Sequence, residues 1–388
     1  MHKFIMLLKR ILPQNVKQII KRMLGLGSIA EKKNVDVFAK PNVDPKKVNV
    51  LIRAGGGLGD FIVYSAVIDQ ILEMGDLVEV YVYTLSYASA DAILKGRGRV
   101  RVYYPFWVID AEEFDLILEI DHLIQVSHIS SLKLSLRANK LYKAAGKIVA
   151  YNDKFYPGTI DYYLIRRNAI MYRSKILGLN RWTQLSYKGV FDMEDMRAKV
   201  SYDSDRTSIL DDYGLNGTSY ITVQCGADRD LGGIRQVKVW PLKRYEEFVG
   251  LFKPVYSNIK IVQIAVKSEP SINGIDVCVK GAELEDVKVV LKNSLLLVAG
   301  EGGITHLATQ LGTRCVVVFG PTPVHYYGYP TNVNIVSPAC SGCMEVTEEW
   351  AKECPRGFEK PVCMGAITGQ MVLDGVKEIL GNEQSDIP

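Results

Sequence analysis

The chain has 388 residues, of which 48% are hydrophobic and 23% are charged, so it is long enough for two globular domains and is not a disordered chain. The formal net charge is only +4, and most basic residues are interspersed with acids, which argues against nucleic acid as a partner. We therefore expect a globular protein whose chemistry resides in clefts rather than on a basic surface.

Residues 1–46 form a basic arm and linker. No acid precedes Glu31, and after Pro13 the apolar positions 16, 19, 20, 23 and 24 have the spacing of an amphipathic helix with basic residues on its other side. Such a helix either lies on an anionic membrane surface or packs on protein, and the sequence leaves both open. Neither a spanning segment nor a signal peptide is apparent. The expected location is the cytoplasm, free or peripheral on the inner face of the cytoplasmic membrane.

Residues 47–205 are predicted to form an N-terminal α/β domain. Short apolar runs suited to strands alternate with stretches suited to helices or loops, which indicates a mostly parallel, doubly wound sheet. The runs are Val48 to Arg53, Leu77 to Tyr83, Val100 to Tyr104 and Leu116 to Ile120. The stretch from about 125 to 205 is richer in Arg, Lys and Tyr, and we assign it to the rest of this domain and a connector.

The first strand is followed by a glycine cluster that ends in an acid. Gly57 and Gly59 would clear space for a sugar or an acceptor, and Asp60 stands where a dinucleotide fingerprint has its third glycine. A carboxylate there would repel a pyrophosphate. Asp60 is therefore either an ordinary cap of the next helix or a group presented to a ligand, and the residues alone favour the cap.

Residues 206–388 are predicted to form a second α/β domain. Its strands are Tyr220 to Cys225, Ile259 to Ala265, Leu295 to Ala299 and Cys315 to Phe319, and its helices include Leu242 to Phe252 and Leu284 to Lys292. Two Rossmann-like domains of this kind are expected to bind ligands at the carboxyl ends of their strands, in a cleft between them.

A helix-start motif follows the strand that ends at Ala299. Apolar residues at 304, 307, 308 and 311 give a helical face, and Gly312 is placed to end that helix in a left-handed conformation. The glycines of Gly300 to Gly303 therefore precede a helix N-terminus, where unpaired N–H groups and the helix dipole favour an anion such as a diphosphate. Glu301 and His306 flank the same position.

Four cysteines follow in a loop rich in proline and glycine, residues 338–364. Cys340, Cys343, Cys354 and Cys363 have the spacing C-x2-C-x10-C-x8-C. In a reducing compartment they would hold a structural zinc or iron, or they are free thiols, and both readings stay open.

Four motifs carry a family resemblance: Gly57-Leu58-Gly59-Asp60, Lys238-Val239-Trp240-Pro241, Glu301 to Ala308, and Phe319-Gly320-Pro321-Thr322. In order and spacing the chain resembles the bacterial heptosyltransferases, glycosyltransferase family 9, from about Val48 to about Leu380. The resemblance implies a GT-B fold with an acceptor-binding N-terminal domain and a nucleotide-sugar-binding C-terminal domain. It also implies sugar transfer with inversion and no cofactor required for catalysis.

By the same resemblance, Asp60 matches the general base that deprotonates the acceptor hydroxyl, and Lys238 matches a residue that contacts the donor phosphates. The candidate substrate-binding residues are Gly57, Gly59, Glu301, Gly302, Gly303, Thr305, His306 and Thr322. One departure concerns the donor sugar, because the family commonly has Asp-Thr or Asp-Ser where this chain has Glu301-Gly302. A second lies after the Ile259 strand, where a glycine-rich segment is absent and Glu269 is a candidate ribose or base contact.

The implied function is transfer of heptose from ADP-heptose to a cell-envelope glycan, lipopolysaccharide or related. Three alternatives remain. A protein O-heptosyltransferase is suggested by the resemblance of the four cysteines to an iron finger in that group, and it would have a protein acceptor rather than a glycan or glycolipid. A non-catalytic nucleotide-sugar binder would not need Asp60. A nicotinamide-dependent oxidoreductase lacks a ribose-binding acid after its second strand.

Overall fold

The computed structural model describes residues 40–105, 109–156, 163–226, 237–267, 269–347 and 349–383, with backbone alone for 163–168, 382 and 383. Most of the basic arm, including its predicted amphipathic helix, lies outside the described residues. Within the described part of the chain, no helix is long and apolar enough to cross a membrane.

The first of two compact units comprises Met1–Gly56 and Val67–Asn152. Its strands are β1 (Val48–Ala54), β2 (Val78–Tyr83), β3 (Val100–Tyr103), β4 (Leu116–Ile120) and β5 (Ile124–Ile129). They form a sheet in the order β3-β2-β1-β4-β5, parallel except for the antiparallel pair β4 and β5. The helices that begin in or run into this unit are α1 (Leu58–Glu73), α2 (Tyr87–Leu94), α3 (Ser131–Arg137) and α4 (Asn139–Phe155).

The second unit comprises Gly57–Ala66 and Asp153–Pro388. Its strands are β6 (Tyr220–Gln224), β7 (Lys260–Ala265), β8 (Val277–Lys280), β9 (Leu297–Gly300), β10 (Cys315–Phe319) and β11 (Val333–Val336). They form a parallel sheet in the order β11-β10-β9-β6-β7-β8. The helices that begin here are α5 (Tyr163–Leu177), α6 (Ser208–Asp212), α7 (Leu242–Val255), α8 (Leu284–Lys292), α9 (Gly303–Leu311), α10 (Val324–Tyr327), α11 (Val362–Ala366) and α12 (Gly369–Glu383).

The α/β prediction is confirmed, with a mainly parallel sheet in each unit. The predicted strands occur within about two residues of their expected bounds. Most of them are apolar runs buried by flanking helices, whereas β3 is a partly exposed edge strand. Three short strands, β5, β8 and β11, were not predicted, and each lies at the edge of its sheet. The first compact unit ends at Asn152 and the second continues from Asp153. The domain boundary predicted from the sequence, between residues 205 and 206, stays a prediction.

The segment Val237 to Pro241 shows how the core of the second unit positions a functional residue. Trp240 is 1% exposed, and its indole N–H donates to the Ile367 carbonyl at 3.0 Å. Pro241 is the residue before α7, where its missing N–H costs no hydrogen bond. Lys238 therefore stands two residues from a buried anchor, and its position is tied to the core.

Candidate functional site

Two glycine motifs of the second unit pack directly against each other. A Cβ built on Gly59 would lie 2.6 Å from the His306 ring, and one built on Gly303 would lie 2.8 Å from Cβ of Leu58. Both distances are too short for any larger residue without displacement of its neighbour. The glycines thus bring the N-terminus of α1 against the N-terminus of α9, and Gly59, the residue before Asp60, lies against the His306 ring.

Asp60 both caps its helix and forms an ion pair. Its Oδ2 accepts the backbone N–H of Gly57 at 3.0 Å, which is the reciprocal half of a capping box. Its Oδ1 accepts from Nη2 of Arg181 at 3.1 Å, and one third of the Asp60 side chain remains exposed. The carboxylate is therefore held at both oxygens while part of it stays open to solvent or a ligand.

Arg181 is a site residue that the sequence did not reveal. Its side chain is only 1% exposed, and Nη2 also donates to the Tyr64 hydroxyl at 3.1 Å, with the guanidinium 5.3 Å from the Tyr64 ring centre. Its Nε and Nη1 have no hydrogen-bond partner among the described residues. A buried guanidinium is stable only when an anion compensates its charge, and in the described part of the chain Asp60 is the acid with which it pairs.

The loop that carries Arg181 also supports His306. The Asn180 side-chain carbonyl accepts the N–H groups of Trp182 and Thr183, each at 2.9 Å, and so forms an Asx turn. The Trp182 indole donates to the Tyr329 hydroxyl at 3.3 Å, and that hydroxyl lies 2.7 Å from Nδ1 of His306. One short loop therefore holds both the acid and the imidazole in place.

Glu301 is a buried carboxylate between two basic groups. Its Oε2 lies 3.5 Å from Nζ of Lys238 and its Oε1 lies 3.4 Å from Nε2 of His306, while the Glu301 side chain is 8% exposed. Burial by itself would raise the pKa of Glu301. Lys238 and the hydrogen bond from His306 together lower that pKa by more than burial raises it, to about 2. Glu301 is therefore an anion at neutral pH, and it fixes Lys238 beside the start of α9.

The ion pair between Glu301 and Lys238 predicts that the stability of the fold depends on pH. The pKa of Glu301 lies below its ordinary value of 4.5, so its charge stabilises the fold above that pH and loses this effect as pH falls towards 2. We expect Glu301→Gln to lower the free energy of unfolding by about 3 kcal/mol at pH 7 and by less than half of that near pH 3. Urea titration of both proteins at the two pH values measures the difference. An equal loss at both would contradict the ion pair.

The N-terminus of α9 forms the open part of the site. A Cβ built on Gly302 would meet no described atom within 4 Å, so a ligand can approach this backbone closely. Thr305 donates its hydroxyl to the Gly300 carbonyl at 2.9 Å, which ties the first helical turn to the end of β9. Gly312 ends α9 at φ 88°, as predicted. Thr322 is 1% exposed, which places its side chain in the interior.

The predicted metal site at the four cysteines is not supported by the structure. Among the described residues, no group of three or more His, Cys, Asp or Glu side chains is placed to hold a metal ion. Cys363 is 4% exposed and belongs to the apolar core of the second unit, against which Cys340 also packs. Burial, followed by the neighbouring thiols, raises the pKa of Cys363 to about 11. None of the four is in a disulfide.

The structure therefore places several predicted site residues together in the second unit. Asp60, Gly59 and Gly303 lie at two helix starts that pack together, and Glu301 contacts both Lys238 and His306. Glu269 lies apart from them, where its Oε2 accepts the Val266 N–H at 2.9 Å beside Gly226. The residues missed from the sequence are Tyr64, Arg181, Trp182 and Tyr329. Asn180, which forms an Asx turn before the Arg181-Trp182 pair, is the local signal by which sequence reasoning could have found this loop.

Several solved structures of glycosyltransferases have a similar fold. A family 9 glycosyltransferase from Veillonella parvula DSM 2008 has 12% identity and a TM-score of 0.50, covering 88% of this chain and 100% of its own. The iron-containing dodecameric glycosyltransferase TibC of enterotoxigenic E. coli H10407 has 12% identity and a TM-score of 0.55, covering 90% and 83%. TibC in complex with ADP-D-β-D-heptose has 11% identity and a TM-score of 0.53, covering 88% and 78%.

The chain belongs to glycosyltransferase family 9 (heptosyltransferase), whose family model matches residues 108–355, more than half of the sequence. It is therefore a glycosyltransferase. The match includes Arg181, Lys238 and the α9 motif, whereas Asp60 precedes it. A search of curated proteins finds no match.

Proposed function

We propose that the protein transfers heptose from ADP-heptose, with inversion, to a hydroxyl of a cell-envelope glycan such as lipopolysaccharide. The observation that carries the proposal is the position of the partly exposed Asp60 carboxylate, in a helix start that packs against a second, anion-favouring helix start flanked by Lys238 and His306. An inverting transfer needs a base for the acceptor hydroxyl on one side and charge stabilisation for the leaving diphosphate on the other.

Asp60 is the proposed base. As the acceptor oxygen attacks the anomeric carbon, its proton passes to a carboxylate oxygen of Asp60, and the bond from that carbon to the diphosphate breaks. Arg181 positions the carboxylate, because its guanidinium donates a charge-assisted hydrogen bond to Oδ1 at 3.1 Å and so fixes the direction of that oxygen.

The start of α9 is the proposed diphosphate site. The first N–H groups of a helix have no partner within the helix, and they aim at the position above Gly302 and Gly303. Lys238 would exchange its contact with Glu301 for one with the developing phosphate charge. ADP-heptose is favoured as the donor because structures of this fold include TibC with bound ADP-D-β-D-heptose. Glu269 is proposed to contact the ribose.

A panel of nucleotide sugars tests the donor. A ligand that binds the folded state raises the melting temperature by mass action. We expect ADP-heptose to raise it by several degrees at saturating concentration, and UDP-, GDP- and CMP-sugars to raise it less. Gly302→Val is the matched variant, since its side chain would enter the space above the helix start. An equal shift in that variant would place the donor elsewhere.

The acceptor is tested with the same enzyme preparation. Radiolabelled transfer is measured with purified heptose-deficient lipopolysaccharide core and, in parallel, with a serine-rich unmodified polypeptide. We expect label in the glycan fraction. Label confined to the polypeptide would assign the chain to protein O-heptosyl transfer instead, and donor hydrolysis without transfer to either would contradict both acceptors.

A further inference from the structure

Helices α3 and α4 of the first unit form a surface of unusual charge. From Ser130 to Asn152 the sequence contains no acid, while it contains five basic residues. They are Lys133, Arg137, Lys140, Lys143 and Lys147. Residues 1–30 and 162–191 likewise contain basic residues and no acid, but this run lies on two described helices and the proposed chemistry does not use its charge.

Two leucines in the same run are exposed. Leu132 is 74% exposed and Leu136 is 76% exposed, and they lie four residues apart, so they share one face of α3. Leu134, between them, is fully buried and anchors the helix to its unit. A single exposed leucine is ordinary, but a pair on one helical face beside a row of lysines is the composition of an interfacial helix.

Four of the five positive charges have no acidic partner among the described residues, and Lys133 is the exception. Lys133 pairs with Asp115 at 2.9 Å, and Arg137 donates to the backbone carbonyl of Lys46 at 2.9 Å, which leaves its charge in place. Lys140, Lys143 and Lys147 are exposed and recur at intervals of three and four, on one face of α4. Only Ala138 separates the two helices, so the exposed leucines and the exposed lysines lie in adjoining helices of the chain.

We propose that this α3–α4 surface docks on an anionic lipid bilayer, with Leu132 and Leu136 entering the headgroup region and the three lysines contacting acidic headgroups. Charge decides between the possible occupants. The N-terminal arm carries six basic residues and no acid before Glu31, so it would be repelled, and so would a second copy of the same surface. Nucleic acid would match the charge, but it offers no apolar phase for two exposed leucines.

Vesicle flotation of the full-length protein tests this surface. We expect binding to vesicles of phosphatidylglycerol and phosphatidylethanolamine, weaker binding at high salt, and little binding to phosphatidylcholine. The triple variant Lys140→Gln, Lys143→Gln, Lys147→Gln is expected to lower the partition coefficient roughly 100-fold. Leu132→Ser with Leu136→Ser is expected to lower it about tenfold. Vesicle binding is measured without sugar transfer, so its result tests the α3–α4 surface independently of the proposed function.

Matched controls substitute exposed lysines and an exposed leucine outside the α3–α4 surface. Lys95, Lys360 and Lys377 are exposed lysines on other elements, and Leu85 is 71% exposed. The Lys→Gln and Leu→Ser variants at these positions should bind vesicles as the wild type does.

Unchanged binding of the α3–α4 variants would overturn the proposal and leave the arm as the membrane contact. A leucine variant that binds normally while RNA displaces the vesicles would assign the surface to a polyanion. If the wild type forms a dimer and the leucine variant does not, the α3–α4 surface would be assigned to contact with a second copy of the chain.

Discussion

Asp60→Asn is expected to lower kcat for sugar transfer by about 10²- to 10⁴-fold, with KM for ADP-heptose nearly unchanged. Asparagine has the same shape and can still accept the Gly57 N–H that Asp60 accepts at 3.0 Å, so the start of α1 should form as before. It cannot take a proton from the acceptor hydroxyl. Steady-state kinetics with both substrates, at matched melting temperatures, measures the loss.

The Asp60→Asn result is interpretable only beside a measure of donor binding. The thermal shift produced by ADP-heptose should be the same in the variant and the wild type, since the proposed diphosphate site lies at α9. Transfer within a few-fold of wild type would rule out Asp60 as the base and leave it as a helix cap. Loss of the thermal shift together with activity would show that the substitution disturbs the whole site.

Arg181→Met is expected to have the second-largest effect, a fall in kcat of about 10- to 100-fold. Methionine removes the hydrogen bond to Asp60 at 3.1 Å while it fills much of the same buried volume. Arg181→Lys should recover part of the rate, because it restores a cation without the planar geometry. Tyr64→Phe removes the other partner of Nη2 and is expected to change kcat little.

A double-mutant cycle separates positioning from general stability. If Arg181 acts through Asp60, adding Arg181→Met to Asp60→Asn should cost little further activity, because the group to be positioned no longer functions as a base. Two losses that multiply would mean that Arg181 contributes independently, for example through folding. Each variant is assayed well below its melting temperature, since removal of one member of a buried ion pair also destabilises the fold.

Much of the architecture follows from local pattern. The strands β1, β4 and β10 are short apolar runs bounded by turn residues, a pattern that is typical of buried strands in α/β proteins. The helix α9 follows from its apolar spacing, and Gly312 ends it because glycine adopts the left-handed conformation at low cost. The edge strands β5, β8 and β11 escaped prediction because they are short and half-buried, so their alternation is weak.

The cysteine loop shows the limit of spacing as evidence. Four cysteines at metal-like intervals predicted a ligand cluster, but a ligand set requires that all the sulfurs face one point. In the folded chain Cys363 belongs to an apolar core, and the thiols of Cys340, Cys343 and Cys354 are near enough to raise its pKa. Spacing along the chain carries no information on the direction in which each side chain points, so it does not by itself separate a ligand set from free thiols.

The sequence by itself determined the α/β class, the helix-start motif and the family motifs, because each depends on residues within one strand or one turn of helix. Only the tertiary structure decided which of these groups act together. Asp60 and Arg181 are 121 residues apart in the chain, yet their side chains form a buried ion pair, and Gly59 meets His306 across a still longer separation. Contacts of this kind depend on how helices and loops pack in three dimensions, and no local periodicity encodes them.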